Sequence, residues 1–441
     1  RLGMKRMRFK HFVAIFVSAV LLTVLFSCEQ NNTGEKAAGT AVPDPASTLS
    51  FRITWTDYSG RGQAIARIVD DYNKQGGGAA VQMIGGDEDE KTIQTMLAEN
   101  PETVFVLPYR YVRYFGSLGY LSDLSEAFSA EESLFYPAIW ALGTLKGKVY
   151  GIPWLGHSMC LLYNKSLLER AGVDAASIQD LNALVAAMDA VEQRTDAKGI
   201  GLVGAGSNDV SWMVNQFIYG FGGSLVNPEG TAVTLNSEQS KSALAFYRDV
   251  LGAHAQSTWK EDTGVEVMDC FRNQQVAFEI QGIWGISDIQ KNGSPFEVGV
   301  IAMKEIGLCS EVGPMMLAVP KGMSDEGREQ AIRFMQFLIS KEAQGKILNG
   351  EYSVEHDTYY PFRTPIRKDM ADTPMLQMNP VYQIFIEGFE NPSVDVPVPA
   401  WQTIKSELYE PLLHQVMTGQ LSIEGFLTQI ETEGNEILSS S

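Results

Sequence analysis

Apolar and polar positions along the chain switch repeatedly between two periods. Phe51-Arg-Ile-Thr-Trp55 alternates with a period of two, as a half-buried strand does. Gln63 to Lys74 then spaces its apolar residues at helical intervals, and Ala79 to Ile84 reads as a second strand. After the acidic loop Asp87 to Glu90 a helix runs through Leu97, and Thr103 to Leu107 is a third strand ending at Pro108-Tyr-Arg-Tyr111. This alternation predicts an α/β domain with parallel strands, whose ligands lie beyond the strand carboxyl ends. Those ends carry Trp55, Asp57, Tyr58, Tyr109 and Arg110.

The pattern changes at Lys146–Gly172. A turn bracketed by Gly147 and Gly151 leads to Ile152-Pro153, which excludes helix because proline lacks an N–H and restricts its predecessor. Ser158 to Tyr163 reads as a short buried strand. Asn164 is placed to cap a helix that Gly172 stops. Two extended segments joined end to end by Trp154-Leu-Gly-His157 predict a hinge between two lobes, with Trp154 beside the cleft. Further on, the spacing predicts helices over 178–192, 210–221, 237–251, 331–345, 408–418 and 423–437, and strands over 199–203, 296–303 and 313–320. Gln281-Gly-Ile-Trp284-Gly reads as a tight turn with an indole at its tip.

The N-terminus adds an address. Met4 to Lys10 is basic, Phe12 to Phe26 is apolar but short for a membrane span, and Ser27-Cys28 follows, as in a signal peptide over residues 1–27. Leu25-Phe-Ser-Cys28 resembles the bacterial lipoprotein box, whose cysteine is acylated. Residues 28–50 are polar with Gly, Ala and Pro, a flexible tether reaching roughly 25 Å. The chain has 441 residues and a formal charge of −19; removing the leader, with five basic residues and no acids, would take it to −24. Such acidity argues against nucleic acid as a partner. Cys160, Cys270 and Cys309 form neither a disulfide framework nor a CxxC metal pattern, and Cys160 lies inside an apolar strand, as a buried thiol would.

Catalytic and cofactor signatures fail on inspection. Gly143-Thr-Leu-Lys-Gly147-Lys148 is one residue short of a phosphate loop, Gly204-Ala-Gly206-Ser-Asn-Asp209 lacks a dinucleotide turn's third glycine, and there is no HExxH or GxSxG. No cofactor, resident metal or catalytic residue is therefore expected. Aromatic residues stand out instead: Trp55, Trp154, Trp212, Trp284 and Trp401 each lie near a strand end, helix start or Gly-flanked turn. Aromatic faces there can stack on the apolar faces of a sugar ring while polar neighbours take its hydroxyls. Two or three such rings, at roughly 1.5–3 kcal/mol of burial each, together with several hydrogen bonds bring micromolar affinity, about −8 kcal/mol, within reach after ordering costs.

Taken together, KGKVYGIPW with LLYNKSLLERAG (146–172), FGGSLVNPEG with the helix following it (221–251), FRNQQVAFEIQGIWGI (271–286), EVGPMMLAVPKG with AIRFMQFLISKEAQ (311–344) and YPFRTPI (360–366) resemble the extracellular solute-binding proteins of the sugar-binding, maltose-binding-protein-like group. The resemblance implies a type II two-lobe α/β fold with three crossovers, near Pro153–Ser158, Ile301–Glu305 and Val319–Met323, and a ligand trapped by hinge closure. It implies lobes of 51–154 with about 302–320, and 155–301 with about 321–441. It also implies a monomeric, lipid-anchored receptor outside a bacterial cell membrane that binds a saccharide and hands it to an ABC permease. Family positions for ligand contact fall on Trp55 to Ser59, Tyr109-Arg110, Trp212, Trp284 and Arg363. Pro101-Glu-Thr stands where the family usually has Pro-Asp, and Tyr109 where it often has a ligand acid. Two alternatives stay open: ferric iron bound through Tyr359-Tyr360, and an anchored glycan hydrolase.

Overall fold

The computed structural model describes residues 48–440, so the leader, Cys28 and most of the tether lie outside the described residues. Two sheets organise the chain. The first has six strands in the order Thr364–Pro365, Ile152–Gly156, Met315–Ala318, Thr103–Pro108, Thr48–Arg52, Ala80–Ile84. Its three N-terminal strands are parallel, joined by the helices Gly60–Gln75 and Glu90–Glu99, while Met315–Ala318 runs antiparallel to both neighbours. The second has four strands, Val298–Ile301, Cys160–Asn164, Val276–Gln281 and Lys198–Ile200. Each sheet has its own core, one around Phe51, Phe105 and Met316, the other around Leu161, Phe278 and Phe217.

Local chemistry explains the junctions. Asn164 caps Lys165–Ala171 by accepting from the Leu167 N–H, and Gly172 ends that helix in the left-handed region at φ 67°. Ser59 caps Gly60–Gln75 by accepting from the Gly62 N–H. At Gly62 a Cβ would lie 2.1 Å from the Thr56 carbonyl oxygen, so only glycine lets this helix start against the loop after the first strand.

The chain leaves the first core after Leu155 and enters the second at Met159, and it returns between Leu308 and Val312. The third crossover is not near Val319–Met323. Asp325–Leu338 and Lys341–Ile347 lay Ala331, Phe334, Met335, Leu338 and Ile347 on the first sheet, with Phe334 edge-on to Phe51 at 5.1 Å. The departure comes after Ile366, and Met370 packs with Phe385 against the outer face of the second sheet. Residues 321–366 thus belong largely with the first core rather than the second.

One buried acid has no catalytic setting. Glu279, on the central strand Val276–Gln281, is 1% exposed, and its Oε2 meets no donor among the described residues. Burial, reinforced by Asp288, holds its carboxyl well above the usual carboxylate range. Its folded-state pKa exceeds that of the unfolded chain, so its stabilising contribution is full below about pH 4 and is lost as pH rises through the raised value. Glu279→Gln cannot ionise and is expected to raise stability at neutral pH while leaving it little changed near pH 4. Urea unfolding at neutral and acid pH checks this: a gain of equal size at both would remove the ionisation argument.

Candidate functional site

Between the two cores lies a cleft of about 230 Å³, lined by Glu88, Tyr109, Arg110, His157, Trp212, Glu311, Arg363, Asp395 and Lys405 among others. An adjoining hollow of about 160 Å³, with Met159, Met213, Met268, Gln281 and Trp284, shares Trp212 with it. The cleft is framed by elements from both sides. The carboxyl end of Thr103–Pro108 delivers Tyr109 and Arg110, the helix Asn208–Gly220 delivers Trp212, and the first turn of Ile283–Lys291 delivers Trp284. The connectors supply the floor, with His157 on one and Glu311 on another.

Aromatic and basic groups alternate across this space. The Arg363 guanidinium lies 5.7 Å from the Trp55 ring and 5.6 Å from the Trp284 ring. His157 meets Trp284 edge-on at 5.2 Å and Trp212 at 6.3 Å, and the Lys405 ammonium stands 5.3 Å over Trp212. Trp284 is fixed by donating its indole N–H to Gln281 at 3.0 Å. At Gly313 a Cβ would fall 2.1 Å from the His157 ring, so that glycine lets the imidazole lie flat against the returning connector.

The acids of the cleft are each engaged. Glu88 pairs with Arg110 at 2.7 Å, Glu311 with His157 Nε2 at 2.8 Å, and Asp395 with Lys405 at 2.8 Å. Among the described residues the other ring nitrogen of His157, the buried Nδ1, has no hydrogen-bond partner. Asp395 also accepts the Trp401 indole N–H at 2.6 Å, while its backbone N–H donates to the Tyr109 hydroxyl at 2.7 Å. Burial, with Asp395 and Glu311 nearby, pushes the Tyr109 phenol well up, so it stays protonated. Burial, with Arg61 beside it, brings Arg363 down to about 9, which leaves it charged at neutral pH.

The structure therefore brings together Trp55, Tyr109, Arg110, Trp212, Trp284 and Arg363, Trp55 joining through its contact with Arg363. Four expected residues do not line the cleft. Trp154 is fully buried in the first core, edge-on to Phe51 at 5.6 Å, because both faces of its strand are covered. Trp401 is fully buried against Tyr409 and reaches the site only through Asp395. Asp57 and Tyr58 sit on the solvent side of the loop before Gly60–Gln75, Tyr58 being 81% exposed. Nor is Trp284 at the tip of a turn: Gly282 caps a helix and the indole sits in its first turn.

Sequence reading passed over His157, Glu311, Glu88, Asp395 and Lys405. Lys405 had a visible signal, standing four residues after Trp401 and four before Tyr409 on one apolar helical stripe. Tyr359 and Tyr360 do not converge: adjacent on a strand, the first meets Tyr352 at a tilt and the second bonds His356. Among the described residues no group of three or more His, Cys, Asp or Glu is placed to hold a metal ion.

A profile of the family described as bacterial extracellular solute-binding protein matches residues 67–383. The chain belongs to that family. This solute-binding protein is 28% identical over 192 residues, 42% of its chain, to a probable ABC transporter-binding protein of Deinococcus radiodurans, and the match spans 46% of that relative. Its fold is similar to that of the sugar-binding protein MalE from Xanthomonas citri, with a TM-score of 0.74 at 17% identity over 89% of this chain and 98% of that one. Maltose-bound MalE3 of T. maritima gives 0.70 at 19% identity, covering 88% and 99%. At such identities the likeness is one of fold, the two-lobe α/β architecture of maltose-binding-protein-like receptors.

Proposed function

We propose that this solute-binding protein is the substrate-binding component of an ABC importer, that it captures a saccharide between its lobes, and that acylated Cys28 anchors it to the outside of a cell membrane. The observation that carries the reading is the convergence of Trp55, Trp212 and Trp284, from three distant parts of the sequence, around one cleft. Indole faces offer apolar surface to ring C–H groups, and the fixed acids and bases around them offer bonds to hydroxyls. The description of the Deinococcus relative, the maltose bound to MalE3 of T. maritima and the sugar-binding description of the Xanthomonas protein support the same assignment. Binding and release need no covalent step, and the engaged carboxylates of the cleft suit positioning rather than proton transfer.

Thermal unfolding against a panel of mono- and disaccharides tests the ligand class. A true ligand at 100 times its Kd stabilises the protein by about 2.7 kcal/mol. A panel in which no saccharide moves the transition, while Fe(III) does, would replace this reading with the iron one. For the anchor, Cys28→Ala is expected to release the protein from the membrane fraction; retention there would sink that part.

A further inference from the structure

The cleft's charges form a nearly closed account, with one side chain left over. Glu88 has Arg110, Glu311 has His157, Asp395 has Lys405, and Arg61 at the edge has Glu351 at 3.4 Å. Among the described residues Arg363 makes no ion pair. Its Nη1 donates to the Phe362 carbonyl at 2.8 Å, its Nε is buried without an acceptor there, and no bond to Nη2 occurs among the described residues. Trp55, Trp284 and Phe362 surround the cation within 6 Å, and their π-faces balance part of its charge. Rings leave the N–H groups of the Nε–Nη2 edge unmet, however, and that edge is the planar fork that a carboxylate or phosphate fits with two parallel bonds.

We propose that the ligand is anionic, a sugar acid or a sugar phosphate, and that its negative group is taken by the Nε–Nη2 edge of Arg363 between Trp55 and Trp284. This rests on the saccharide reading above and narrows it. A neutral hydroxyl at the same place satisfies hydrogen bonds but adds no counter-charge to a cation whose nearby carboxylates, Glu88, Glu311 and Glu351, are each paired with another side chain. The lining is also far less acidic than the rest of the molecule: three carboxylates face two arginines and a lysine, against 53 acids and 34 bases in the whole chain. An anion drawn into the cleft therefore meets no local excess of negative charge. The buried Nδ1 of His157, whose ring also meets Trp284, has no partner among the described residues and is open to one of the sugar's hydroxyls.

Titration calorimetry of the mature protein with glucose, galactose and mannose, and with the uronate and the 6-phosphate of each, tests the proposal. At least one charged compound is expected to bind about tenfold or more tightly than its parent hexose, the size of a bidentate charge-assisted contact. Preference for a uronate identifies a carboxylate as the bound group, and preference for a 6-phosphate a phosphate. Arg363→Gln is expected to erase the preference for the charged form over its parent hexose, and Arg363→Lys, which keeps the charge but not the fork, to lose most of it. Both variants should melt no lower than wild type, since neither loses an ion pair. Parent hexoses binding as tightly as their charged forms, or a uniform loss in Arg363→Gln, overturn the anionic assignment and leave the saccharide reading standing. Silence from all nine compounds overturns both.

Discussion

Asp395→Ala is expected to destabilise the protein by about 3–5 kcal/mol, the cost of removing one partner from a buried ion pair. The side chains of Asp395 and Lys405 are 9% and 7% exposed, and the second carboxylate near the ammonium among the described residues is Glu410, at 4.0 Å. Removing the carboxylate leaves the Lys405 charge almost uncompensated and deprives the Trp401 indole of its acceptor. Urea unfolding measures the change: the midpoint should fall with the slope unaltered. Asp395→Asn with Lys405→Met removes both charges and keeps an acceptor for Trp401, so it should recover most of the loss. A single variant within about 1 kcal/mol of wild type, the range of an exposed pair, would show that water reaches this pair.

Trp284→Ala should weaken binding of whichever saccharide the protein takes by about 10- to 100-fold, equivalent to the roughly 1.5–3 kcal/mol of a buried aromatic face. The residue lies between His157 and Arg363 and lines the hollow that continues the cleft. Its removal takes away apolar surface and frees the Arg363 guanidinium to move. Trp154→Phe is the matched control, because Trp154 is wholly inside the first core; its effect belongs in the melting temperature and not in the affinity. Calorimetric titration of the two variants separates them. An unchanged Kd in Trp284→Ala would remove the indole from the ligand's surroundings.

Why one tryptophan was placed in the cleft and another was not bears on what a sequence can show. Trp154 and Trp284 both stand near glycines at an element end, and local pattern treats them alike. What separates them is the layer above each: the strand Ile152–Gly156 is covered on both faces, whereas the helix at Ile283 opens onto the cleft. Elements and junctions with local causes were legible, including the parallel strands, the Asn164 cap, the Gly172 stop and the change of sheet at His157. The third crossover was not. The apolar face of Ala331, Phe334, Met335 and Leu338 announces burial, but the same face would serve either sheet, and only the fit against Phe51 decides. The ion pairs of the cleft were hidden for a related reason, since their members lie far apart in the chain.

That separation governs how the site comes into being. His157 and Glu311 are 154 residues apart, and Tyr109 and Asp395 are 286 apart. Contacts of such span form only after large loops close, which makes folding slow. The N-terminal strands and their helices can assemble from neighbouring sequence, but the cleft waits for residues beyond Lys405. A chain still emerging from its ribosome or crossing a membrane therefore has no binding activity to misdirect. Recognition begins only when the last hundred residues have joined the fold.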